Sequence, residues 1–245
     1  MPTRHLVLFD IDGTMLRSEG AGVAAMLHAF TTLHGDRGFS FGGLEIAGAL
    51  DALLFAKMMT EHGLPAHDEA HAQFRATYRD ELDRSLTPQR VRRMSGAAEL
   101  AHALHQRDVA TGLLTGNYPE TAMIKLRAAG FDCDRFPFGA FGCDGASRRH
   151  LTPVAIERAH AHHGRAFDPA FVTIIGDTPL DIDCATAHGC RAIGVATGPY
   201  SVEQLMSAGA DLAVSDLSDT TVLLRWILGV ELESTVVVAG ETRHL

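Results

Sequence analysis

Cysteine is sparse in this chain. Cys133, Cys143, Cys184 and Cys190 are the four in 245 residues, with neither a CxxC pair nor the density of a secreted scaffold, so free thiols in a reducing compartment are expected. Positive charge is short as well: 21 Lys and Arg stand against 30 Asp and Glu, for a formal net charge of −9. With no basic stripe to offset that balance, nucleic acid is not an expected partner. Long apolar runs are missing. Arg225 interrupts Val222–Val230, so no segment is suited to span a bilayer, and between Arg4 and Asp10 there are too few apolar residues for a signal peptide. The expectation is a soluble, cytoplasmic protein without a membrane partner. Nothing in these features separates a monomer from a homodimer.

What is present is an ordinary globular composition, 46% hydrophobic and 21% charged, sufficient for a full core. The length suits one large domain or a core with a small insert. Leu6, Val7, Leu8 and Phe9 form a continuous apolar run that reads as a strand buried on both faces. It stops at Asp10-Ile11-Asp12-Gly13-Thr14. Residues i and i+2 of an extended segment point the same way, so the two carboxylates converge. Like charges about 4 Å apart repel by roughly 4 kcal/mol at an effective dielectric near 20. Such a pair needs a cation, a shared proton or ample water. Taken alone it would be a solvated turn; its company further along the chain changes that reading.

From Val23 to Arg90 no buried-strand run appears. The pattern gives helices over 23–33, 52–62 and 68–85, the last carrying Phe74, Tyr78 and Leu82 as a thin apolar stripe. From Ala97 onward strands and helices alternate. Strands are expected over 109–115, 136–141, 171–176, 192–197 and 212–215, and helices lie between them. This is an α/β pattern, a Rossmann-like, doubly wound parallel sheet with helices on both faces. The domains are read as 1–16 and 92–245 for the discontinuous core and 17–91 for an inserted all-helical cap. The insert leaves the sheet at the carboxyl ends of its strands, where open α/β sheets bind ligands. In the tail, 231–245, Thr235–Ala239 is either an edge strand or frayed.

Each informative strand ends in a polar group: Asp10 and Asp12 after the first, Thr115-Gly116-Asn117 after the second, Asp177 after a later one. Asp181 follows in the first turn of the next helix. If these strands are neighbours, Asp10, Asp12, Asp177 and Asp181 gather around one point, and four ionised carboxylates there need a divalent cation. An all-oxygen donor set selects Mg²⁺. Thr115 with the amides of Gly116 and Asn117 at a helix N-terminus forms an anion pocket. Together these are the equipment of phosphoryl transfer.

On those residues the chain resembles the haloacid dehalogenase superfamily, in its phosphoglycolate-phosphatase-like branch with a helical cap. The resemblance spans Leu6 to Leu228 and rests on Leu6–Thr14 as hhhhDxDGT, Leu113–Asn117 as the second motif and Ile174–Asp181 as hhhGDxxxD. It implies that Asp10 is the nucleophile forming an aspartyl-phosphate and that Asp12 is the acid and base. It further implies that Thr115 and a basic residue, Arg148 or its rival Arg149, hold the phosphoryl oxygens. Mg²⁺ would be bound by Asp10, the carbonyl of Asp12, and Asp177, with Asp181 as ligand or orienter. The substrate implied is a small phosphorylated metabolite, phosphoglycolate or sugar-phosphate-like. Asp12 speaks against dehalogenation, which needs no acid at that place. Relatives often carry Gly-Arg/Met-Thr-Asp in the cap loop; here Gly48-Ala49-Leu50-Asp51 offers no cation for a substrate carboxylate, and Ser95-Gly96 replaces a more usual Pro-Gly at the return to the core.

Other features have plainer readings. His67-Asp-Glu-Ala-His71 is one place out of register for HExxH and fits a solvated helix. His160, His162 and His163 fit a surface helix end. Gly20-Ala-Gly22 lacks a third glycine and suits a hinge, and Arg90–Ser95 is expected as an exposed linker. Lys125 is open between a contact to the site and an ordinary helix position. A phosphomutase on the same scaffold, passing the phosphoryl group to a sugar hydroxyl, is the nearest alternative function, and a non-catalytic binding module the next.

Overall fold

The computed structural model describes residues 4–43 and 46–229. The suggested edge strand at 235–239 lies outside them. Six strands pair in parallel in the order β5-β4-β1-β6-β7-β8: β1 Leu6–Phe9, β4 Ala110–Leu114, β5 Gly139–Ala140, β6 Val172–Gly176, β7 Arg191–Val195 and β8 Leu212–Val214. The expected doubly wound parallel sheet is what forms.

β1 is central and fully buried. Val7 and Phe9 pack with Leu100 and Leu104 of α4 (Ala97–His105), Leu126 of α5 (Pro119–Ala128) and Leu223 of α9 (Thr220–Leu228). Leu6 and Leu8 pack on the other face with Leu151 of α6 (Leu151–His163), Ile182 of α7 (Pro179–Thr186) and Leu205 of α8 (Val202–Ser207). Fully burying each such side chain is worth about 1.5–3 kcal/mol. Both faces of β1 therefore anchor it, and they fix where its carboxyl end delivers Asp10. Leu6 pairs with Ala110 and Val172 and Phe9 with Leu113 and Ile175; the Asp10 N–H extends the ladder by donating to the Ile175 carbonyl at 2.9 Å.

Most elements agree with the sequence pattern to within one or two residues. Two differ for physical reasons. The strand expected over 136–141 shrinks to Gly139–Ala140, because Pro137 has no N–H to give the ladder. The Arg90–Ser95 stretch is not merely a linker. Arg92–Arg93 forms β3, antiparallel to β2 (Leu16–Arg17), with both arginines exposed. Two residues per strand are too few to show alternation in a sequence.

Between β2 and β3 lie α1 (Ala21–His34), α2 (Asp51–Glu61) and α3 (Asp68–Ser85). They enclose their own cluster: Phe30 lies 4.4 Å, centroid to centroid, from Phe74, and Phe55 lies 4.9 Å from Phe74. The expected stripe of Phe74, Tyr78 and Leu82 is the buried side of α3. Tyr118 and Ile124 from the sheet side complete this cluster, so the three helices rest on the carboxyl end of β4.

Candidate active site

Immediately after β1 the chain turns back on itself. The N–H groups of Met15 and Leu16 both donate to the Ile11 carbonyl, at 2.8 and 3.1 Å. Gly13 has φ +88°, and a Cβ there would lie 2.2 Å from Asp177 Oδ2. Only glycine satisfies both the left-handed backbone and the close approach of Asp177. Asp177 leaves the end of β6, and the Thr14 hydroxyl reaches its Oδ1 at 3.4 Å.

Asp181 sits at the start of α7. Its Oδ2 accepts from the Thr178 N–H (3.1 Å) and the Thr178 hydroxyl (2.8 Å), an N-terminal box that fixes the carboxylate's direction. Its Oδ1 is 2.5 Å from Arg148 Nη2, which also donates to Asp10 Oδ1 at 2.8 Å. Arg148 Nη1 donates to the Gly48 carbonyl at 2.8 Å. Arg148 is thus a buried bridge between the nucleophile candidate, the Asp181 carboxylate and the helical insert; its Nε is buried and unpartnered. Arg149, the rival, is exposed and paired with Asp183 at 2.5 and 2.6 Å. The fold therefore brings Arg148, not Arg149, to the site.

Asp10, Asp177 and Asp181 are all buried, and each offers a carboxylate oxygen within 4.8 Å of the others. Burial pushes the Asp10 carboxyl up to about 7, with Arg148 opposing and Asp181 and Asp12 adding to the rise. Burial, then Asp10 and Asp181, push Asp177 up to about 8. Arg148 does not neutralise the group. A hard divalent cation would, and three carboxylates with no nitrogen or sulfur donor among them form a donor set of the right chemistry.

The expected convergence of four carboxylates is corrected to three. Asp12 has its side chain 42% exposed and turned towards Lys125, whose Nζ lies 2.6 Å from Asp12 Oδ2. The period-two argument fails because the strand ends at Phe9: Asp12 already belongs to the returning turn, bridged to Leu16. Lys125 is only 5% exposed and also donates to Asn117 Oδ1 at 2.6 Å. Asn117 Nδ2 in turn donates to Asp12 Oδ2 and Thr115 Oγ1, both at 2.8 Å. This amide orientation is the one the charges require: its carbonyl faces an ammonium and its NH₂ a carboxylate. Thr115, fully buried at the end of β4, accepts from Asn117 and keeps its own O–H proton for another acceptor. Asn117, expected as an amide donor to an anion, also orients Asp12 through its side chain.

Gly116 is where the insert touches this loop. A Cβ there would lie 1.9 Å from the Ala49 carbonyl, and the Gly116 carbonyl accepts from the Asp51 N–H at 2.8 Å. Asp51 opens α2 and accepts the Tyr118 N–H on Oδ2 at 3.2 Å. Burial pushes its carboxyl up to about 7, against the pull of Lys125. Arg17 closes the far rim by donating to the Thr197 carbonyl, and the Thr197 hydroxyl donates to the Gly13 carbonyl at 2.5 Å. The result is a cavity of about 440 Å³. Asp10, Asp12, Thr115, Arg148 and Asp177 form one wall and residues of the insert the other.

Sequence reasoning left Lys125 undecided and gave Asp51 no role. A usable signal existed for Lys125, which shares a helix face with Thr121 and Ala122, both buried. The surface reading of His160, His162 and His163 holds, whereas the solvated-helix reading of His67–His71 fits His67 but not the half-buried His71. His67 caps α3 through Nδ1 while His71 stacks on Phe55 and bonds the Tyr118 hydroxyl at 2.7 Å, so the two share no ion. His160, His162 and His163 are exposed at the end of α6. Gly20 caps α1 with φ 77°.

Comparison with known proteins bears on this geometry. The profile of the haloacid dehalogenase-like hydrolases matches residues 7–186. The chain is 25% identical over 220 residues to the pyrophosphatase PpaX of Listeria monocytogenes, covering 89% of this chain and 95% of that one. Its fold is similar to that of a hydrolase from Pseudomonas syringae (TM-score 0.65, 21% identity, 92% of this chain and 99% of that one). It is also similar to that of a β-phosphoglucomutase from Clostridium difficile (TM-score 0.65, 14% identity, 92% and 97%).

Proposed function

Because the chain belongs to the haloacid dehalogenase-like hydrolase family, we propose that it is a Mg²⁺-dependent phosphatase. In this reading it hydrolyses a small phosphomonoester through an aspartyl-phosphate on Asp10. A phosphate-ester hydrolase agrees with the PpaX relative. The observation that carries the reading is the division of the carboxylates. Asp10, Asp177 and Asp181 are buried together, while Asp12 is held apart by Lys125 and Asn117, half in solvent. One group is placed to meet a cation and a phosphorus atom; the other is placed to exchange protons.

Asp10, Asp177 and Asp181 would hold the metal, which when bound neutralises the carboxylates and the phosphoryl oxygens. Arg148 occupies Asp10 Oδ1, so Oδ2 attacks phosphorus as the ester O–P bond breaks. Asp12 gives its proton to the departing alkoxide, and then takes one from the water that splits the acyl phosphate and returns Asp10 as a carboxylate. Arg148 and the Thr115 hydroxyl hold the transferred oxygens and spread their charge. Residues 17–91 act as the cap, docked through Gly48, Ala49 and Asp51. The phosphomutase reading is weaker, because a sugar needs polar partners and the cap wall of the cavity offers mainly Val23, Met26, Phe41, Ile46 and Leu54. No helix among the described residues is long and apolar enough to cross a membrane, and the four free cysteines support a cytoplasmic setting. The test is hydrolysis of p-nitrophenyl phosphate with Mg²⁺. It should be lost in Asp10→Asn and on chelation; protein inert towards all phosphate esters with metal supplied overturns the proposal.

A further inference from the structure

The two walls of the cavity differ in kind. The sheet-side wall is dominated by charged groups and the cap-side wall by apolar ones. Met26, Phe41 and Leu54 are almost fully buried around the space, with Val23 and Ile46 partly so. Apart from Arg17 at its hinge, the polar groups that the cap contributes are acidic or neutral: the carboxyls of Asp51 and Glu19 and the hydroxyls of Tyr78 and Ser18. Of the stretch from 38 to 50, whose sequence contains no Lys, Arg or His, Phe41 and residues 46–49 line the cavity.

The cap's own cations are engaged elsewhere. Arg75 makes a two-pronged pair with Glu120 at 2.9 and 3.0 Å, and Arg84 pairs with Glu81 at 2.5 Å. Three cations do line the cavity, and each has partners. Arg17 donates to the Thr197 carbonyl, Lys125 to Asp12 and Asn117, and Arg148 to Asp10, Asp181 and Gly48. Arg148 and the metal cluster are needed by the phosphoryl group itself. A second anionic group on the leaving side would therefore meet Asp51 and Glu19, with Lys125 and Arg148 already committed to carboxylates and only Arg17, held at the far rim by the Thr197 carbonyl, not paired with an acid. Burial of a poorly compensated charge is unfavourable. An apolar group would find matching walls instead, in a cavity of the size that small ligands fill.

We infer that the substrate is the phosphate monoester of an uncharged, mainly apolar alcohol, seated between Val23, Met26, Phe41, Ile46 and Leu54, rather than a phosphorylated carboxylic acid or a polyphosphate. This rests on the phosphatase reading and narrows it to a leaving-group class. It also separates this chain from its pyrophosphatase relative, whose named substrate presents a second anion at the leaving position.

The test reads binding without turnover. Calorimetric titration of the intact protein with Mg²⁺ present compares benzylphosphonate, phosphonoacetate and methylphosphonate, three non-hydrolysable probes with the same phosphonate head. Burying the benzyl group should tighten binding about 10- to 100-fold over methylphosphonate, whereas phosphonoacetate should bind no tighter than methylphosphonate. Phosphonoacetate binding as tightly as benzylphosphonate, or more tightly, overturns the inference. Ile46→Lys, which places a cation in the cap loop, should move the benzyl-to-carboxylate preference at least tenfold towards phosphonoacetate; an unmoved preference in folded variant counts against the cap wall as its cause. Should Ile46→Lys not fold, the wild-type series decides alone. Turnover of aryl phosphate assayed beside it keeps the two claims apart. Selective benzyl binding without hydrolysis supports the apolar pocket and defeats the phosphatase reading. Hydrolysis with carboxylate preference does the reverse.

Discussion

Replacing Lys125 with Met keeps the volume and the apolar stem but removes an ammonium that makes two 2.6 Å hydrogen bonds, to Asp12 and Asn117. Breaking a fully buried ion pair from one side costs about 3–5 kcal/mol. Here the Lys125 side chain is 6% exposed but that of Asp12 is 42% exposed, so water can solvate the orphaned carboxylate. The Asn117 carbonyl cannot be reached so easily, and an unsatisfied buried acceptor costs about 1–3 kcal/mol. The expected loss of stability is therefore about 1–2 kcal/mol, a fall in Tm of about 2–8 °C for a chain of this size. The effect on chemistry should be larger, because Asp12 loses the groups that aim it. General acid–base catalysis is worth about 10²–10⁴-fold, and kcat on alkyl phosphates should drop about 10- to 100-fold. With p-nitrophenyl phosphate the first step needs no proton, since nitrophenolate leaves unaided, but water must still be deprotonated in the second. Rapid mixing should show a burst of nitrophenolate near one equivalent, followed by slow turnover. Equal losses on alkyl and aryl esters with no burst, or no loss at all, would refute the assigned role of Lys125.

Asp51 has its carboxyl raised to about 7 by burial, so the folded chain holds a proton that the unfolded chain releases near 3.8, and stability falls as pH rises from about 4 to about 7. Asp51→Asn should flatten that part of a Tm-against-pH curve and be the more stable protein at pH 8; parallel curves would count against it. Asp10 and Asp177, raised to about 7 and about 8 by burial, have the same sign and compete with a cation for their carboxylates. Mg²⁺ should therefore raise Tm, by more at pH 8 than at pH 6, and chelator should reverse the rise; a shift that shrinks with pH would contradict the assignment. Arg148→Ala leaves Asp10 and Asp181 without their shared partner and should cost at least 100-fold in kcat/KM. Arg149→Ala removes an exposed pair and should leave the kinetics nearly unchanged; the opposite ranking would reassign the basic residue.

The sheet was legible because β1 is a continuous apolar run and every later strand is followed by a helix with a Pro start or Gly stop. Asp10 and Asp177 were legible for a related reason: each sits one step beyond an apolar strand, where ligand or solvent can receive it, and Asp181 follows in the first turn of the next helix. What escaped was direction. Asp10 and Asp12 look parallel in a sequence, yet the left-handed Gly13 belongs to a turn that sends Asp12 to Lys125. Arg148 and Arg149 are adjacent in a short 3₁₀ turn, and only the packing of α7 decides which faces inward. Lys125 stands between Ile124 and Leu126, and only the small residues Thr121 and Ala122 on its own helix face hint that this face is covered, by Asn117 and the cap. The helical insert was readable from the Phe74, Tyr78 and Leu82 stripe, but part of its docking runs through backbone carbonyls of Gly48 and Ala49. Its side-chain contacts, Asp51 to Tyr118 and Arg75 to Glu120, join residues too far apart in sequence to be paired by reading.

The central claim is that phosphorus becomes covalently attached to Asp10. Asp12→Asn protein, mixed with p-nitrophenyl phosphate and Mg²⁺ and quenched in acid within the first turnover, should yield an intact mass increased by one phosphoryl group, mapped to the peptide carrying Asp10 and absent from Asp10→Asn. Multiple turnovers of released phosphate by wild-type protein, with no acid-stable adduct on that peptide in the Asp12 variant, would contradict it.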